Sequence, residues 1–140
     1  MIPNEELSEK AKAMSEQAVA MAADVFEIRL SYQKEDMDLL EERIFPVLEK
    51  MIAEGKINEN GTVQMAVFFG AYLGELILRS FAAELGYAWL DEEDGPPRIV
   101  CGANKFNPLA KVRKRLTQGS GDDIRPFYDV CLKVAQGGFQ

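Results

Sequence analysis

Glu75 and Arg79 are the residues of this chain best placed for chemistry. They stand one helical turn apart in a stretch that is otherwise apolar, residues 65–78 reading MAVFFGAYLGELIL. Positions i and i+4 of a helix share a face, so the carboxylate and the guanidinium can meet. A carboxylate in such surroundings needs a partner, because an unpaired buried charge is costly. Two readings follow. In one, the pair is a structural ion pair at the edge of the core. In the other, Glu75 and Arg79 centre a small-ligand pocket or a carboxylate-dependent active site, with Tyr72 and Trp89 as walls.

The sequence contains no histidine. That removes Ser–His and Cys–His nucleophile pairs, histidine zinc sites and the usual general base near neutral pH. Cys101 and Cys131 are too few for a thiolate zinc site and read as small core residues in a reducing compartment. No catalytic residue, metal or cofactor is therefore expected, and the balance leans away from an enzyme. The run Asp91-Glu92-Glu93-Asp94 lacks the alternation of a calcium loop and reads as a solvated turn. Gly119-Ser120-Gly121 has neither a preceding strand nor a following Lys-Ser/Thr, so it reads as a turn between helices.

Charge is unevenly spread along the 140 residues, whose net charge is −7. Residues 1–97 carry 20 acids against 8 Lys/Arg, while residues 98–140 carry 8 Lys/Arg against 3 acids. The one dense basic cluster is Lys111, Arg113, Lys114 and Arg115, expected to face outward from an inner set of Leu109, Val112 and Leu116. Those cations are expected to meet the acidic front half, in the same molecule or in a partner. Nucleic acid is the weaker alternative, since the chain is acidic and the cluster lacks interleaved aromatics.

These groups must be positioned by a helix-rich α+β fold. The length suits a single domain, residues 1–140. Leu7, Ala11, Met14, Ala18, Met21, Val25 and Ile28 alternate at spacings of four and three, predicting a first helix over residues 1–30 capped by Asn4. Its seam either covers the chain's own core or joins two copies as a homodimer. A second helix is predicted over 34–54, with Met37, Leu40, Ile44, Val47, Leu48 and Met51 inward and a break at Pro46. The central apolar helix spans about 62–85, capped by Thr62, with Gly70 and Gly74 allowing a neighbour to approach closely. An antiparallel hairpin over about 87–101 turns at Gly95-Pro96-Pro97, and a third strand can form around Lys105 and Phe106. Asn107-Pro108 opens one further helix, and Asp122 or Asp123 caps a last one. About five helices result, gathered on the apolar one. The start, MIPNEELSEK, has no secretory pattern, and fourteen apolar residues are too few to span a bilayer, so a cytoplasmic protein without membrane contact is expected.

Tyr72-Leu73-Gly74-Glu75 on a helix, Trp89 in a strand after a glycine, and Lys114-Arg115-Leu116 before Gly119 and the segment 122–128 together resemble a small bacterial family of uncharacterised proteins. The resemblance covers about residues 61–130, with Tyr87-Ala88 before Trp89 a departure from its pattern. The family has no agreed activity to carry over. The resemblance implies that Glu75, Trp89 and Arg115 form one structural or ligand-contacting set.

The reading that fits these features best is a non-enzymatic cytoplasmic protein acting through protein–protein contact, with a homodimer as one form. An immunity-type inhibitor is a concrete version, since a small acidic protein can neutralise a basic toxin by complementary charge.

Overall fold

The computed structural model describes residues 4–91 and 95–137, leaving aside the Asn4 side chain. The expected Asn4 cap and Glu92, Glu93 and Asp94 of the acidic run thus lie outside the described residues. The described chain is a helix-rich α+β fold: α1 (Asn4–Phe26), α2 (Asp36–Leu39), α3 (Phe45–Ala53), α4 (Glu59–Ile77), strands β1 (Ala88–Leu90), β2 (Arg98–Cys101) and β3 (Asn104–Phe106), then α5 (Pro108–Gln118) and α6 (Ile124–Ala135).

Helix α4 is the hub, because its apolar residues leave it no polar face. Phe69, Tyr72, Leu73, Leu76 and Ile77 are all fully enclosed. It starts at Glu59 rather than Thr62: the Asn58 side chain accepts the Gly61 N–H at 2.7 Å, and Thr62 lies buried inside the first turn. A π turn, Leu78–Ala82, carries it on and ends it three residues short of the expected Leu85. The whole run Glu59–Ala82 is 24 residues, so it is long enough to cross a membrane, contrary to the sequence estimate. Two-thirds of its most apolar window (67%) is buried within the fold, as in a core helix.

Helix α1 lies along α4. Its buried positions are Leu7, Ala11, Ser15, Ala18 and Ala22, a helical stripe of mostly small residues that lets the two backbones come close. Of the expected seam, Met14 and Met21 are half-buried and Val25 is 67% exposed, because the stripe follows 3.6 residues per turn rather than a heptad. The segment 34–54 is broken, as Pro46 predicts. Here α2 passes through a π turn, Leu40–Ile44, into α3, with Pro46 in the first turn of α3, where its missing N–H costs little. Met37, Leu40, Ile44, Phe45 and Leu48 are buried; Val47, expected inward, is 44% exposed.

The sheet is an antiparallel meander in the order β1-β2-β3, so the expected third strand is present. Trp89 pairs with Ile99 and Ile99 with Phe106, and this row of three forms the buried face. The glycines of α4 explain how that face and α5 dock. A Cβ on Gly74 would lie inside the Trp89 indole, and one on Gly70 would stand 2.6 Å from the Leu109 backbone. Asn107 caps α5 by accepting the Ala110 N–H at 3.2 Å with Pro108 at the first turn, and Asp123 caps α6 through the Arg125 N–H at 2.8 Å.

Candidate functional site

Glu75 and Arg79 do pair, and Trp89 joins them. The Arg79 Nη2 donates to Glu75 Oε1 at 3.2 Å, and the Trp89 indole N–H donates to Glu75 Oε2 at 2.8 Å. Glu75 is 3% exposed, so its charge is balanced by one cation and one neutral donor rather than by water. Arg79 reaches outward, its side chain 44% exposed, with the guanidinium 3.8 Å from the centre of the Tyr32 ring. Arg79 is the second residue of the π turn Leu78–Ala82.

Tyr72, placed with them by the sequence, makes no hydrogen bond to Glu75 or Arg79 among the described residues and meets them through Tyr32, which lies under Arg79 and against Tyr72. The Tyr72 hydroxyl donates to Asp36 and accepts the Tyr32 N–H at 2.8 Å. The same Asp36 oxygen accepts the N–H groups of Ser31 at 2.8 Å and Gln33 at 3.1 Å. Tyr32 stacks on Tyr72 with ring centres 4.7 Å apart, and its hydroxyl lies 2.8 Å from Ser15 Oγ on α1. Burial, reinforced by the bond to Asp36, pushes the Tyr72 phenol far above its ordinary value and keeps it neutral. These contacts hold Tyr32 at φ +60, a left-handed conformation that a bulky residue adopts only when its surroundings impose it.

Arg115 is the main correction to the outward-facing cluster. It is 2% exposed, with Nε on Glu41 Oε1 at 2.7 Å and Nη1 on Glu49 Oε1 at 3.1 Å. The second Glu41 oxygen accepts the Ile124 N–H at 2.9 Å, at the start of α6. Burial opposes the guanidinium charge, but the bonds to Glu41 and Glu49 outweigh it and hold Arg115 above its ordinary value. The Glu75–Trp89 pair and Arg115 are thus separate networks rather than one set. Elsewhere in the cluster, Arg113 reaches Glu59 at 3.9 Å, Lys111 reaches Asp122 at 3.6 Å, and Lys114 is exposed. Arg113 and Arg115 therefore meet the acidic front half within the molecule.

Two concavities flank Trp89. A cleft of about 500 Å³ opens over Glu75, Arg79 and Trp89 and is completed by Ser8 and Lys12 of α1 and by Leu78, Ala83, Tyr87 and Ala88. A groove of about 390 Å³ runs along the other side of α1, lined by Leu7, Ala11 and Met14, by Val67 and Ala71 of α4, by Trp89, Pro96 and Pro97 of the hairpin, and by Leu109 of α5. Among the described residues its polar lining is Lys10 and Asp91. Among the described residues no cluster of three or more metal-type ligands occurs. Lys12 and Tyr87 of the cleft, and the groove as a whole, were not read from the sequence. They come together from segments some seventy residues apart, which no local pattern marks. Comparison with family models, curated proteins and solved structures gives no match, so the chain's own geometry carries the functional reading.

Proposed function

We propose that this is a non-enzymatic binding protein whose groove between α1, α4 and the hairpin receives an apolar anchor from a basic partner protein. The observation that carries the reading is the groove itself: a concavity walled, among the described residues, mostly by apolar side chains, on a molecule with no histidine. Apolar centres with charged rims are how protein partners combine affinity with specificity. The choice of a basic partner follows from charge. Exposed Glu5, Glu6, Glu9 and Glu16 outnumber Lys10 and Lys12 along the first half of α1, and the chain as a whole is at −7. An immunity-type inhibitor of a basic toxin is one protein that would act in this way.

The test uses Met14, which is half-buried on the groove wall, and Val67, which is half-buried opposite it. Leu7 is unsuitable, since at 5% exposure a polar replacement tests the fold instead. A partner captured from native lysate supports the proposal if it is basic, salt-sensitive, and lost with Met14→Glu and Val67→Glu while both variants stay folded. Retention of the same partner by both variants overturns it. A concentration-dependent dimer in light scattering that Met14→Glu dissolves would assign the groove to a second copy and overturn the basic-partner reading.

A further inference from the structure

The geometry points to a second site, independent of the groove: the cleft over Glu75 is a binding site for a small organic carboxylate, held by Arg79 and Lys12 against the apolar lining of Leu78, Ala83 and Ala88, which the buried Tyr87 and Trp89 support from beneath. The charges decide the ligand's sign. Both oxygens of Glu75 are engaged inside the protein, one by Trp89 and one by Arg79. Glu75 therefore acts as a positioning residue, not as a ligand contact. Its bond uses one arm of the Arg79 guanidinium, and the remaining N–H groups have no protein acceptor among the described residues. The Glu75 bond and the Tyr32 ring, whose centre is 3.8 Å from the guanidinium carbon, both hold that group in place, and a planar fork suits a carboxylate. Lys12 of α1, 49% exposed, supplies a second cation; its ion pair with Glu9 at 3.5 Å is solvent-exposed and therefore weak.

Shape narrows the class further. The cleft's volume of about 500 Å³ is within the range of small-molecule sites, and beside its two cations it is lined by Leu78, Ala83, Tyr87, Ala88 and Trp89. Tyr87 and Trp89 are locked there: Tyr87 stacks on Phe106 with ring centres 5.0 Å apart and accepts from Asn104, while Trp89 is held by Glu75. A carboxylate attached to a flat apolar body would use both features.

Trp89 is the one tryptophan of the sequence, so its indole N–H gives a single resonance in a ¹⁵N-labelled sample, and it lies beneath the cleft. The probes are benzoate, its neutral counterpart benzamide, and inorganic phosphate. Benzoate is expected to shift the indole resonance saturably below about 10 mM, the affinity range of small fragments. Benzamide is expected to bind at least tenfold more weakly. Lys12→Ala, which alters an exposed side chain, should weaken benzoate at least threefold, and Arg79→Lys, which keeps the charge but loses the fork, at least tenfold. Absence of a saturable shift, equal binding of benzamide, or undiminished binding by both variants overturns the proposal. Phosphate binding as tight as benzoate overturns the assignment to an organic acid.

Discussion

Arg115→Met is the sharpest test of how this fold is tied together. The side chain is 2% exposed and bridges α5 to Glu41 in the π turn and to Glu49 on α3. Removing the guanidinium leaves Glu49 free to turn outward, since its side chain is 34% exposed. Glu41 has no such escape: its side chain is 2% exposed and would keep only the Ile124 N–H. Breaking one side of a buried pair costs about 3–5 kcal/mol, and the relief available to Glu49 places this case near 3. With a urea dependence of about 2 kcal/mol per molar, the unfolding midpoint should fall by about 1.5 M. Trp89 emission provides the readout, because a fully buried indole becomes wetted on unfolding. Glu41→Gln removes the stranded charge while keeping an acceptor for Ile124. Added to Arg115→Met, it should restore about 2 kcal/mol, a clear departure from additivity. A single-variant loss below about 1 kcal/mol, or a double variant worse than either single one, would refute the claim that a desolvated ion pair joins these elements.

Three further outcomes follow from other contacts. Gly74→Ala should cost about 1–3 kcal/mol by overpacking against Trp89, and should move the indole N–H resonance; an unchanged resonance would mean that the indole does not rest on that glycine. Burial pushes the Cys131 thiol up to about 12, so at pH 8 a thiol reagent should label half-buried Cys101 first and reach Cys131 only when the protein opens; equal rates would contradict the α6 packing. The bond from Arg125 holds the Asp123 carboxyl below its usual range, so this stabilisation is complete above about pH 4. It is lost as the pH falls through the folded-state value, and Asp123→Asn should show a shallower decline of thermal midpoint over that acid range than the parent protein.

The central helix, the three-stranded meander and the caps at Asn107 and Asp123 could be read in the sequence because each rests on local rules: apolar run length, alternation, and capping chemistry. The Glu75–Arg79 pair was legible for the same reason, since four-residue spacing fixes a shared face. What escaped depends on distant contacts. Arg115 sits among Lys111, Arg113 and Lys114 in a pattern that reads as a solvated face, and only the approach of Glu41 and Glu49 from α3 and its preceding turn makes it a core residue. Tyr72 was grouped with Glu75 by proximity along the helix; it shares Tyr32 with Arg79, but its hydroxyl is taken by Asp36, a distant contact that helix spacing does not reveal. The α1 seam misled because alanine and methionine at mixed three and four spacings fit two periods equally well. The exposed Val25 shows which period the packing chose.

The π turn at Leu40–Ile44 makes the chain tolerant of a change in length at one point. Each residue of a regular helix advances the direction of its side chain by about 100°, but a π turn absorbs one residue beyond the regular ladder. Deleting one residue there would let α2 and α3 fuse into an unbroken helix whose two ends stay in phase. Asp36 would then keep Tyr72 and its hold on the 31–33 loop. The same deletion in the regular part of α4 has no such outlet and would turn one half of that helix by about 100° against the other. A one-residue deletion in the π turn should therefore lower the unfolding midpoint far less than one in the middle of α4.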